Sequence, residues 1–173
     1  MSSEDLADPV RPYIQIKPDG TVLVFSSQLE MGQGAHTGLA TIVAEELDAD
    51  FDSIQVVNAA NGATPNGDVY GNLVGGGFQI TGGSNSTRAF WARYRQVAAQ
   101  ARARLVAAAS ETWGVPPAEV EIDSGVVSHS SGKRANFAEL GQIAEKMPIP
   151  DGVQPKDPSA YRVLGREGRL RVD

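Results

Sequence analysis

The 173-residue sequence contains no cysteine. By itself the chain can therefore form no disulfide, thiolate zinc site, cysteine nucleophile or iron–sulfur cluster. Histidine is nearly as scarce, with only His36 and His129, which excludes a multi-histidine metal site. No apolar run approaches the ~20 residues of a membrane helix. The opening residues, Met1-Ser2-Ser3-Glu4-Asp5, are acidic and lack the apolar core of a signal peptide. The expectation is a soluble protein of the cytoplasm, or of the periplasm where a partner carries the export signal. Positive charge is also in deficit. Fifteen Lys+Arg face 21 Asp+Glu, a net charge of -6, which counts against a nucleic-acid partner that needs a basic surface.

What is present suits one globular domain: 41% of residues are hydrophobic, enough for a core. Residues 1–11 read as a disordered leader. Tyr13–Lys17 and Thr21–Phe25 flank the turn Pro18-Asp19-Gly20 and predict a hairpin. Leu39, Ile42, Val43 and Leu47 recur at helical spacing and predict a helix over Thr37–Leu47. Ser53–Val57 reads as a strand. Residues 58–83 carry eight glycines and little regular pattern, a length of loop that is often functional. Ser84–Trp113 is the longest helical pattern, with Phe90, Tyr94, Val97, Ala101, Leu105 and Ala108 on one face. Val120–Ile122 and Val126–Ser128 flank Asp123-Ser124-Gly125 as a second hairpin. Asn136 with Glu139 marks a helix start, running to about Lys146. Beyond Met147 four prolines predict an extended arm or linker. The fold class is α+β: strand–glycine loop–helix units, small sheets packed by two main helices, and that arm. The domain limits are 12–147, with the arm at 148–173.

Two segments could carry chemistry. In Glu30-Met31-Gly32-Gln33-Gly34-Ala35-His36-Thr37 a strand runs through glycines into a helix start. Free N–H groups there can hold an anion or a polar heterocycle, and the Gln33 amide is both donor and acceptor. The alternative is a tight turn with Gln33 in solvent. In Gly75-Gly76-Gly77-Phe78-Gln79-Ile80-Thr81-Gly82-Gly83-Ser84-Asn85-Ser86 a second glycine loop precedes the long helix. There Thr81, Ser84 and Ser86 either cap the helix or present hydroxyls, and bare Gly82 and Gly83 open their amides to a phosphate. The remaining polar residues read more simply. Glu45-Glu46 form a solvated face, and His36 is a local hydrogen-bonding residue. Trp91, Trp113 and Tyr94 are helix packing. Arg88, Arg93, Arg95, Arg102 and Arg104 give the long helix a basic face, in part paired with neighbouring acids.

Together, Glu30-Met31-Gly32-Gln33-Gly34-x-His36-Thr37, Ala44-Glu45-Glu46-Leu47 and Thr81-Gly82-Gly83-Ser84-x-Ser86 resemble the molybdopterin-binding subunit of the xanthine oxidase and aldehyde oxidoreductase family. The likeness is to the N-terminal portion of the large subunit in its isoquinoline 1-oxidoreductase-like branch. The resemblance implies that Met31, Gly32, Gln33 and Gly34 lie against a molybdopterin cytosine dinucleotide. It implies that Thr81, Gly82, Gly83, Ser84 and Ser86 meet its phosphate and pterin portion. It further implies a partner with a hammerhead domain and the rest of the cofactor site, and iron–sulfur clusters on another subunit. The metal would be held by the cofactor and not by residues here. The family's catalytic glutamate has no counterpart, so no catalytic residue is assigned. The expectation is a small subunit or fragment of a molybdenum hydroxylase. A structural or interaction subunit without cofactor, an ordinary nucleotide-binding enzyme and a related hydratase assembly remain as alternatives.

Overall fold

The structure, a computed structural model, describes residues 7–59, 69–71 and 79–166. Ile14–Ile16 (β1) and Val22–Ser26 (β2) pair antiparallel across the Pro18-Asp19-Gly20 turn, as the sequence pattern predicts. The chain then passes the glycine loop into Ala35–Leu47 (α1) and returns as Ile54–Asn58 (β3), parallel to β2. This β–α–β unit is completed by Trp91–Trp113 (α2), which packs across α1. A second antiparallel sheet follows, with Val120–Asp123 (β4), Val126–His129 (β5) and Arg134–Asn136 (β6) in sequential order. Phe137–Ala144 (α3) closes it. The mixed α+β class expected from the sequence is the observed one. No described helix is long and apolar enough to cross a membrane.

The core lies where α1 and α2 meet the first sheet. Val22, Val24, Leu39, Val43, Leu47, Tyr94 and Leu105 are wholly excluded from solvent. The periodic residues named above face inward because both helices lie on one sheet. Alanines 98, 101, 108 and 109 let α2 approach closely. At α3, Asn136 accepts from the Glu139 N–H and Glu139 accepts from the Asn136 N–H, the reciprocal cap the sequence announces. Gly141 is needed for contact, since a Cβ there would stand 2.7 Å from Ile16 Cγ2.

Three expectations are corrected. Residues 7–11 are not disordered: Val10 is buried, and Asp8 accepts from Arg104 at 2.7 Å. The long helix begins at Trp91, not Ser84. Ser84 is left-handed at φ 56, a geometry that cannot continue a helix. Ser84–Thr87 are residue types whose side chains compete with helical bonding. Glu45 and Glu46 are not a solvated face, being only 1% exposed. Glu45 Oε2 accepts from the N–H groups of Arg162, Val163 and Leu164 at 2.9, 2.7 and 3.0 Å. Burial pushes its pKa up, but these three bonds and nearby Lys156 outweigh that and hold it below the usual range. Glu46 accepts from Arg95 Nε at 2.6 Å and from the Lys156 N–H at 2.8 Å. The segment after Met147 is extended, but these bonds fasten it to α1 and α2. Of the loop 58–83, residues 60–68 and 72–78, including Gly75-Gly76-Gly77, lie outside the described residues. Residues 1–6 and 167–173 do too.

Glu45→Ala should strand three backbone N–H groups in a buried site and leave Lys156 only Asp48 as an ionic partner. The expected cost is roughly 3–5 kcal/mol. Thermal unfolding should show it, and trypsin should cut at Lys156 and Arg162 before the rest of the chain. An unchanged melting temperature with a protected arm would contradict this role.

Candidate functional site

Because β2 and β3 run parallel, both carboxyl ends open on the same side, the usual ligand position beside such strands. The chain leaves β2 through Ser26-Ser27-Gln28, all buried. Ser26 Oγ donates to Gln28 O at 2.7 Å and accepts from the Gln28 N–H at 3.1 Å, turning the chain outward. The glycine loop follows. Glu30 Oε1 accepts from the N–H groups of Gly32 and Gly34 at 2.8 and 3.0 Å, and Oε2 from that of His36 at 2.9 Å. Chiefly because of the His36 N–H, the Glu30 carboxyl titrates below the ordinary range. Its stabilisation is therefore present above the ordinary Glu pKa and is lost as pH falls through the lower folded value. Gly32 and Gly34 take φ of +94 and +79, which these turns require.

Gln33 lies across this loop. Its Oε1 accepts from the Met31 N–H at 2.6 Å, and its Nε2 donates to Leu29 O at 2.7 Å. One N–H and one acceptor position of the exposed amide remain. His36 Nε2 lies 3.2 Å from both Gln28 O and Asn58 Oδ1. It joins α1 to the ends of β2 and β3, the local role expected of it.

The second loop is tied to the first. Thr81 Oγ1 accepts from the Leu29 N–H at 2.9 Å. Ser86 Oγ donates to Gln28 Oε1 at 3.2 Å. Gln79 Nε2 donates to Ser27 O at 3.4 Å. Gly38 lets the turn pass close to α1, since a Cβ there would lie 3.3 Å from Thr87 Oγ1. Below these contacts sits Tyr94 of α2. Its hydroxyl donates to Phe25 O at 2.7 Å and accepts from the Ser27 N–H at 3.1 Å. Burial keeps that hydroxyl protonated far above its ordinary range. Tyr13 stacks edge-on to Tyr94 and to Tyr70, whose own hydroxyl burial pushes up to about 12. The Tyr70 hydroxyl donates to Pro12 O at 2.5 Å.

All nine expected site residues thus fall on two joined loops. Met31 stands 69% exposed, with Leu29 at 52% and Ile80 at 50% beside it in the sequence of these loops. Gly82, Gly83 and Ser84 are exposed. Their N–H groups, and that of Ser86, bond no other described residue.

Residues 4–163 match the sequence profile of the molybdopterin cofactor-binding domain. The chain belongs to that family. It is 38% identical over 139 residues to the beta subunit of isoquinoline 1-oxidoreductase from Brevundimonas diminuta, covering 80% of this chain and 17% of the relative. It is 33% identical over 162 residues to a nicotinate dehydrogenase subunit from Pseudomonas putida, covering 93% and 13%. The chain therefore spans under a fifth of the length of these relatives. Among solved structures, quinoline 2-oxidoreductase from Pseudomonas putida 86 shares the fold. It has a TM-score of 0.55 at 22% identity, over 82% of this chain and 17% of that one. The Cu,Mo-CO dehydrogenase aligns with TM-score 0.55 at 25% identity, over 73% and 15%.

The residues of this family member fit a molybdopterin in part. The spare amide edge of Gln33 suits a ring edge. The open amides at 82–84 suit a phosphate. Ser27 Oγ, buried and without a partner among the described residues, is a polar atom with bonding capacity left. A phosphate at the start of α1 would meet the Glu30 carboxylate, which already takes the Gly34 and His36 N–H groups there. Ser84 and Ser86 are not caps of α2 either, whose first turn follows Phe90. Sequence reasoning missed Glu30, Ser27 and Tyr94 as parts of this site. An acid just ahead of two glycines at a helix start was the legible signal for Glu30. Tyr94 read as plain helix packing, which is also true of it.

Tyr94→Phe should leave the Ser27 N–H and Phe25 carbonyl buried and unpaired, at a cost of roughly 1–3 kcal/mol. Amide exchange should rise first at Ser27–Gln28 and in the loops above. Equal protection in both proteins would show that the hydroxyl does not hold this junction.

Proposed function

We propose that this chain supplies one wall of a molybdopterin cytosine dinucleotide site in a molybdenum hydroxylase assembly. Met31, Gly32, Gln33 and Gly34 face the pterin side. Thr81, Gly82, Gly83, Ser84 and Ser86 face the phosphate side. The observation that carries this reading is the linkage of the two loops at the carboxyl ends of β2 and β3. The Leu29–Thr81 bond brings an amide edge and a run of open backbone N–H groups to one place.

When bound, the cofactor supplies the metal centre at which oxygen from water enters an electron-poor carbon of an aldehyde or N-heterocycle. This chain's residues bind and orient the organic part. Gln33 offers a donor and an acceptor, so it discriminates a heterocycle edge from an apolar surface. The N–H groups of Gly82, Gly83, Ser84 and Ser86 offer uncharged donors to an anion, with the Arg88 guanidinium beside them, donating to Asn85 Oδ1 at 2.9 Å. In this proposal a larger polypeptide with a hammerhead domain supplies the remaining cofactor contacts and the catalytic carboxylate. An iron–sulfur subunit takes the electrons. The exposed Leu29, Met31 and Ile80 support a partner over these loops.

Ser84→Asp in the assembled complex tests the phosphate side. The Ser84 hydroxyl makes no bond among the described residues, and Asp tolerates the left-handed conformation. The melting temperature should be kept. A phosphate at ~4 Å would be repelled by roughly 1 kcal/mol if exposed and several if shielded from water. Molybdenum and released cytidine nucleotide should then fall together, several-fold. A full cofactor load would remove the second loop from the site.

A further inference from the structure

Four N–H groups at the start of any helix lack partners within it. At α1 the residue before the helix is Gly34, which has no side chain to cap it. The Glu30 carboxylate does so from four residues upstream. It takes the N–H groups of Gly32, Gly34 and His36 on its two oxygens. The Gly34 and His36 N–H groups belong to the start of α1 and that of Gly32 to the loop just ahead of it; N–H groups converging at the positive end of a helix form the kind of place that binds phosphate when empty. Here a carboxylate already occupies it. A phosphate in the same place would stand within ~4 Å of that charge and be repelled.

We propose that Glu30 is an internal anion that fills the start of α1 and denies it to the cofactor's phosphates, so that this loop meets only an uncharged ring edge through Gln33. Glu30 is thus a positioning residue. It sets which end of an elongated, one-end-charged ligand each loop can take. The second loop has no such acid within it: Thr81-Gly82-Gly83-Ser84-Asn85-Ser86 is uncharged. The consequence for the cofactor rests on the function proposed above. The exclusion of anions by Glu30 does not.

The test uses the full 173-residue chain, labelled for amide NMR. Inorganic phosphate is titrated against chloride at equal ionic strength. In wild type the Gly32, Gly34 and His36 amides should not respond. In E30A they should shift together and saturate, with phosphate binding roughly three- to tenfold tighter than any wild-type response. E30Q keeps the side-chain volume and removes the charge. It carries the test if E30A is too unstable to titrate, and its His36 amide should move with phosphate. A cap that serves folding alone would lower stability in both variants without creating a phosphate response. Silent amides in both variants would therefore overturn the proposal, as would a wild-type response equal to theirs. No cofactor or partner enters this titration. Its failure leaves the cofactor reading standing, and full cofactor retention by S84D leaves the internal anion standing.

Discussion

The geometry of this domain depends on one buried hydroxyl. Tyr94 belongs to α2, whose preceding turn carries the second loop. Its partners, Phe25 O and the Ser27 N–H, belong to the end of β2, which carries the first. Both loops would otherwise be fixed only by their own surface contacts. A fully buried Tyr must place its oxygen on a partner or suffer the loss of its water. That requirement holds α2 at one height against the sheet. The Leu29–Thr81 and Ser86–Gln28 bonds then form as consequences of that height.

A second constraint is charge placed inside. Glu45 and Glu46 sit at the inner end of α1, out of solvent, where unpaired carboxylates would be costly. They are compensated by main-chain N–H groups of the arm and by Arg95. Arg95 itself lies over the Trp91 and Tyr161 rings at 5.5 and 5.3 Å. The recognition is largely of backbone: Gln96 donates to Val153 O and Arg95 to Lys156 O. An arm rich in proline suits this arrangement, since it is already extended and gives up little freedom on docking.

Much of this was legible in the chain. Hairpins, the inward faces of α1 and α2, and the Asn136–Glu139 cap follow from periodicity and turn chemistry, because local rules act there undisturbed. The two loops were legible as candidate sites because glycine and small polar residues clustered at expected helix starts. Two of the misreadings share one cause. Glu45-Glu46 look like solvent residues, and the leader looks free, because their partners are 49 to 119 residues away in the chain. No local pattern reports a contact at that distance. The start of α2 was misplaced for the opposite reason. Ser84 through Phe90 carry helix-compatible spacing, while a left-handed Ser84 and local turn bonds decide against it. At the start of α1 only the fold shows that Glu30 folds back onto the N–H groups of Gly32, Gly34 and His36.

In the function proposed for it, the domain presents one wall of a binding site. The spare amide edge of Gln33 and the N–H groups of Gly82, Gly83, Ser84 and Ser86 lie on two joined loops, on a chain that matches less than a fifth of the relatives' length. A structure of the assembled complex with its cofactor bound would test this most directly. The account predicts the Gln33 amide within hydrogen-bond distance of the cofactor's ring system. It predicts the cofactor's phosphates on the amides of Gly82, Gly83, Ser84 or Ser86, and Glu30 still on Gly32, Gly34 and His36. A cofactor whose phosphates rest at the start of α1 with Glu30 displaced, or which touches neither loop, would contradict it.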